Sequence, residues 1–168
     1  MKTINTLEAA ARLCAILAGV LLVFITLMTC ASIVGRELIG QTVVGDFELS
    51  GAAAGAAIAL FMPWCQARRG NIAVDFFTTR ASPAVQAALE RLGALMLAGV
   101  MALMTWRTSL GGLNAWRNHS GTMMLNFPEW SIYLLMVPPL ALTALIALYQ
   151  CMFGFAPQLT EGNPELAV

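Results

Sequence analysis

The sequence predicts an all-α integral membrane protein with four transmembrane helices and a short interfacial segment between helices 2 and 3. Of its 168 residues, 59% are hydrophobic and only 11% are charged, whereas a soluble domain usually carries about a quarter charged residues. Four long runs are almost free of charge, and each approaches the roughly 20 residues that cross a bilayer. We therefore treat the chain as a single membrane domain.

Helix 1 is predicted to span the membrane over about residues 13–34. The uncharged stretch from Leu13 to Gly35 has 23 residues, longer than the roughly 7–15 apolar residues of a signal peptide, so we expect it to be retained. The connector Arg36–Phe47 still holds several hydrophobic residues. It either lies in the membrane interface, packs on a partner, or is an ordinary short loop.

Helix 2 is predicted over about residues 48–66 and carries a GxxxG motif at Gly51 and Gly55. Lipid tails give helices no hydrophobic reason to associate, so small residues matter because they let two backbones approach closely. We expect this helix to be packed on several sides. The alternative is that its alanines only fill the helix.

The stretch after helix 2 contains Arg68, Arg69, Gly70 and Asp75. Its apolar part is too short to span a bilayer, so we predict an interfacial segment. The charged residues are expected to act as topology and head-group anchors rather than as ligand contacts.

The remaining two spans are predicted over about residues 91–111 and 130–153. Gly111 and Gly112 are expected to end helix 3. A polar tail covers residues 157–168.

The distribution of lysine and arginine predicts that both termini lie in the cytoplasm. Short cytoplasmic loops carry an excess of these residues. With the N-terminus inside, six lie on the cytoplasmic side (Lys2, Arg12, Arg68, Arg69, Arg80 and Arg91) and three outside (Arg36, Arg107 and Arg117).

The sequence offers little chemistry of its own. Its acids sit near the ends of the apolar runs or in loops, whereas a transport site usually buries an ionisable group at membrane depth. The four cysteines form no CxxC pair and His119 is the single histidine, so we expect no metal, no cofactor and no enzyme activity. Net charge is zero and the basic residues are scattered, so we expect no nucleic-acid binding.

Two short patterns resemble those of a known family. The first has an arginine closing span 1, then a glycine, then a glutamate opening span 2, here Arg36, Gly40 and Glu48. The second follows span 2 as Arg68-Arg69-Gly70-Asn71-Ile72-Ala73-Val74-Asp75. With four spans of similar length, the chain resembles the small membrane subunit of tripartite ATP-independent periplasmic (TRAP) transporters, the DctQ-like family. Two features depart from the family: Asn71 stands where histidine is frequent, and the usual tryptophan before the glutamate is absent.

The resemblance implies a non-catalytic role in the inner membrane of a bacterium. Such subunits scaffold a large DctM-like membrane subunit, which carries the substrate and sodium sites, and a periplasmic solute-binding protein delivers the solute. The expected process is sodium-coupled uptake of an organic anion, mostly a carboxylate. Membrane lipids are the other expected partners.

We also expect Arg36 and Glu48 to face each other and fix the connector between helices 1 and 2. The alternative is that both are solvated surface charges. Two other functions remain open from the sequence: a self-sufficient small homodimeric exporter, and an anchoring subunit of a membrane redox complex.

Overall fold

The computed structural model describes residues 2–68 and 83–153. It contains four helices, α1 (Lys2–Ile39), α2 (Asp46–Ala67), α3 (Pro83–Arg117) and α4 (Trp130–Phe153). Each is long and apolar enough to cross a membrane, so the prediction of an all-α fold with four transmembrane helices is confirmed. The expected interfacial segment and the polar tail 157–168 lie outside the described residues.

The helices pack in the spatial order α1, α2, α4, α3. Helix α1 packs mainly on α2, α2 packs on α4, and α4 packs on α3. Ala59 of α2, Met101 of α3 and Leu140 of α4 form a buried cluster where three helices meet. Helices α2 and α4 are therefore central, while α1 and α3 flank them.

Helix α1 contacts its neighbour along a narrow seam. Ala11, Ala18 and Ser32 are buried, and partly buried residues fall between them at Cys14, Leu21, Ile25 and Met28. Steps of three and four residues alternate along this series. That spacing of 3.5 residues is the one that lets two helices stay in contact over a long left-handed crossing.

The connector between α1 and α2 is shorter than the predicted Arg36–Phe47. Helix α1 continues to Ile39 and α2 already begins at Asp46. Gly40 has φ +71° and its amide donates to the Arg36 carbonyl at 3.1 Å. A left-handed residue in this position is a common way to end a helix, and glycine adopts it without steric cost.

The expectation that Gly111 and Gly112 end helix 3 is wrong, because α3 runs on to Arg117. Both glycines lie against Tyr133 of α4. A Cβ atom on Gly112 would lie 2.9 Å from Tyr133 Cβ, and one on Gly111 would lie 3.3 Å from Tyr133 Cε1. The missing side chains therefore allow α3 and α4 to approach closely, which is the use of small residues typical of membrane helices.

Candidate functional site

The α3–α4 loop, residues 118–129, folds back on itself as a small hairpin. The Thr122 amide donates to the Phe127 carbonyl at 3.0 Å, and the Glu129 amide donates to the Ser120 carbonyl at 3.1 Å. Asn126 has φ +51°, a conformation that asparagine tolerates better than most residues. This turn gives the loop a defined shape and exposes backbone amides at its tip.

The carboxylate of Glu48 holds the tip of this loop. The Met124 amide donates to Oε1 at 2.9 Å and the Leu125 amide donates to Oε2 at 3.4 Å. Glu48 lies in the first turn of α2, where negative charge is also favoured by the helix dipole. We call these two hydrogen bonds the Glu48 latch. The latch ties the start of α2 to the α3–α4 loop.

An apolar contact beside the latch makes Gly45 necessary. Gly45 has φ +77°, and a Cβ atom placed on it would overlap Leu125 Cδ1. The residue before α2 is therefore constrained twice, by backbone conformation and by the lack of room for a side chain. Leu125 takes part in both contacts, so the two connectors form one surface at the same end of the molecule.

Helix α1 is joined to this end through Ser32. The Ser32 hydroxyl donates to Asp46 Oδ2 at 2.5 Å and accepts from the Val43 amide at 3.4 Å. Ser32 is only 3% exposed. A hydroxyl in an apolar helix is stabilised when it finds such partners, so this pair fixes the α1–α2 connector.

The expected pairing of Arg36 with Glu48 is wrong. Arg36 Nε lies 3.9 Å from Glu37 Oε1, and both side chains are largely exposed. The Glu48 carboxylate instead accepts amides from a loop 76 residues further along the chain. Backbone amides at the tip of a hairpin satisfy a carboxylate in a fixed geometry, whereas an exposed ion pair contributes little.

An open cleft of about 450 Å³ lies below the latch, between α2 and α4. Two carboxylates and a tyrosine border it, with apolar side chains between them. Its lining residues are Glu48, Ala52, Thr122, Met123, Glu129, Ile132, Tyr133 and Met136. The Glu48 carboxylate already accepts the Met124 and Leu125 amides. The cleft is therefore the space left under these two hydrogen bonds.

At the opposite end of the bundle, α2 and α4 are joined by a buried pair of glutamines. Gln66 Nε2 donates to Gln150 Oε1 at 2.6 Å, and Gln150 Nε2 donates to the Gln66 carbonyl at 3.1 Å. The side chains are 5% and 9% exposed. Since a carboxamide without partners is costly in apolar surroundings, this pair favours one register between the two helices.

The other predicted site residues divide into three groups. The Arg68 guanidinium lies 4.7 Å from the centre of the Trp64 ring, at the end of α2. A Cβ atom on Gly51 or Gly55 meets no other described helix or loop within 4 Å, so these glycines do not bring α2 against another helix among the described residues. Arg69, Gly70 and Asp75 lie outside the described residues.

The described contacts tie helices and loops to one another. Among residues 2–68 and 83–153, no group of three or more His, Cys, Asp or Glu side chains is placed to hold a metal ion. Residues 25–155 match the family described as tripartite ATP-independent periplasmic transporters, DctQ component.

The fold is that of a multi-pass membrane protein whose helices are fastened by polar contacts at both ends. The match covers more than half of the chain, and the chain therefore belongs to the DctQ family of transporter components. No curated protein and no solved structure matches it.

Proposed function

We propose that this chain is the small subunit that scaffolds a large DctM-like membrane subunit in a sodium-coupled TRAP transporter for an organic anion of the carboxylate class. The observation that carries the proposal is the match to the DctQ component over residues 25–155. The polar contacts within the chain agree with a scaffolding role. Each polar contact at the latch end and at the glutamine pair holds one element of the chain against another.

The positions of the acidic residues support a proposal in which the sodium and substrate sites lie on the large subunit. In the described part of the chain, the acids lie near helix ends or in loops: Glu8, Glu37, Asp46, Glu48, Glu90 and Glu129. Asp46 and Glu48 are used to hold Ser32 and the α3–α4 loop. A sodium or carboxylate site within the bilayer needs polar groups at depth, so we assign both sites to the large subunit.

In this proposal both termini lie in the cytoplasm, which puts the latch end on the periplasmic side. Apolar side chains project there: Phe47 is 87% exposed, Met123 100% and Met124 68%. Exposed apolar residues at the start of a helix or on a defined loop suit contact with a partner or with the lipid interface. This end is where a periplasmic solute-binding protein would approach the complex.

The test is uptake in proteoliposomes. The large subunit and the solute-binding protein are reconstituted with and without this chain, and accumulation of labelled carboxylates is followed under an inward sodium gradient. Uptake that needs both the gradient and this chain is the expected result. Uptake by the large subunit alone, or by this chain alone as a homodimer, would contradict the proposal.

A further inference from the structure

Two sides of α2 are already occupied within the chain. On one side, Glu48, Ala59 and Gln66 reach the α3–α4 loop, the buried three-helix cluster and Gln150. On another, Asp46 bonds to Ser32 of α1, and α1 packs along α2. These contacts occupy two sides of α2 and leave a third side exposed.

The third side of α2 is an apolar stripe that we call the open face. Phe47, Ile58 and Phe61 are 87%, 65% and 37% exposed. Gly51 and Cys65 are exposed as well, and Ala54 is partly buried. The six positions Phe47, Gly51, Ala54, Ile58, Phe61 and Cys65 advance by alternating steps of four and three residues. This is the seam spacing found along α1, and it suits a long crossing by another helix.

The centre of the open face is smooth. Its middle positions are Gly51 and Ala54, with Ser50 and Gly55 beside them, and a Cβ atom on Gly51 or Gly55 meets no other described helix or loop within 4 Å. Phe47 and Ile58 stand at either side of this smooth region. A flat run of this length allows a second backbone to approach closely, which is what drives helix association in lipid. The candidate span in α2 has a lower mean hydropathy than those in α1 and α4.

We propose that a transmembrane helix of the large subunit packs along the open face of α2 in a left-handed crossing. The inference rests on the proposed function and deepens it by naming the surface. At a rise of about 1.5 Å per residue, Phe47 to Cys65 covers about 27 Å, nearly the full hydrocarbon core. An occupant of that length must itself span the membrane, which excludes the soluble component. The family description makes this chain one component of a tripartite transporter.

The first test is site-specific photo-crosslinking in native membranes. A photoreactive phenylalanine analogue replaces Ile58 on the open face, and in a second variant it replaces Leu27 on α1. The two positions are matched because each side chain is 65% exposed. We expect Ile58 to give a cross-linked product with the large subunit at a yield at least about tenfold above that of Leu27.

Two outcomes of this test would overturn the inference. A product with twice the mass of this chain would show that a second copy covers the open face. Cross-linking to lipid alone, while the large subunit still co-purifies with the variant, would show that the open face looks into the bilayer. In the second outcome the large subunit still binds, so the proposed scaffolding function stands and only the proposed contact surface is wrong. Loss of the large subunit from the wild-type chain would instead contradict the function.

The second test uses two glycine-to-leucine variants that differ only in location. Gly51 and Gly99 are both exposed helix positions, and a Cβ atom at either meets no other described helix or loop within 4 Å, so the two sites are matched in exposure and in the space around Cβ. Gly51→Leu should lower the amount of co-purified large subunit at least about tenfold, whereas Gly99→Leu on α3 should leave it unchanged. Equal recovery with both variants would contradict the inference.

Discussion

The carboxylate of Glu48 accepts the backbone amide of Met124 at 2.9 Å and so joins two residues that are 76 positions apart in sequence. With Leu125 resting on Gly45 and Ser32 bonded to Asp46, this bond fixes one end of the helix bundle. Glu48, which stands at the position of the family's glutamate, therefore has a structural role. It orders the surface that the proposed periplasmic partner would meet.

Replacing Glu48 with glutamine should loosen the α3–α4 loop. The amide group keeps one acceptor oxygen but turns an NH₂ group toward a backbone N–H, so one of the two latch bonds is lost and the other is weakened. We expect several-fold faster cleavage of the loop by added protease in detergent micelles, with the helices intact by circular dichroism.

The matched control for the latch is Glu129→Gln. Glu129 borders the same cleft, but the Met124 and Leu125 amides donate to Glu48. The control should be cleaved at the wild-type rate. Equal acceleration in both variants would mean that general loss of charge, rather than the latch, controls the loop.

Gly45→Ala should destabilise the protein more than Gly40→Ala. Both glycines have positive φ, +77° and +71°, so each alanine introduces a similar backbone strain of about 1–2 kcal/mol. Only Gly45 also meets a side chain, because its Cβ would overlap Leu125, whereas Gly40 has open space. The measurement is unfolding of the purified variants, and Gly45→Ala combined with Leu125→Ala should cost less than the sum of the two single changes.

The Gln66–Gln150 pair leads to a similar prediction for the opposite end of the helix bundle. Gln66→Leu removes the partner of the buried Gln150 Oε1 and should destabilise the fold by about 1–3 kcal/mol, the usual cost of an unsatisfied buried group. The double variant Gln66→Leu/Gln150→Leu should recover part of that loss, because neither amide is then left without a partner. A double variant that is no more stable than Gln66→Leu alone would contradict this prediction.

The two glycines beneath Tyr133 should respond differently to alanine. A Cβ atom on Gly112 would lie 2.9 Å from Tyr133 Cβ, next to the α4 backbone, whereas one on Gly111 would meet the ring at 3.3 Å. The ring can rotate but the α4 backbone must shift, so Gly112→Ala should cost about 1–3 kcal/mol, in the range of overpacked cores, and Gly111→Ala clearly less. Thermal unfolding in one detergent compares them, and an equal loss would show that the ring cannot move.

Much of the fold could be predicted from the sequence because a bilayer imposes length and hydropathy on its helices. The four spans follow from apolar runs that are almost free of charge and long enough to cross. The end of α3 could not be predicted in the same way. Gly111 and Gly112 are compatible both with a helix end and with close packing, and only the position of Tyr133 decides between the two.

The candidate site was less predictable because its partners are distant in sequence. Glu48 and Arg36 flank one connector, which favoured a pairing between neighbours, yet the latch uses backbone amides of a loop that no side-chain pattern reveals. Gln66 and Gln150 were a usable signal, since a carboxamide in an apolar run needs a partner. The sequence also could not show that neither glycine of the GxxxG motif brings α2 against another described helix of this chain.

The most direct test of the scaffolding role is co-purification of this chain from its native membrane in a mild detergent, followed by mass spectrometry of the bound proteins. We predict one large polytopic membrane protein in a constant ratio to this chain. That partner should be retained by Gly99→Leu and lost from Gly51→Leu. A chain that purifies alone as a stable homodimer, with no larger membrane protein bound, would contradict the claim that it is a scaffolding subunit.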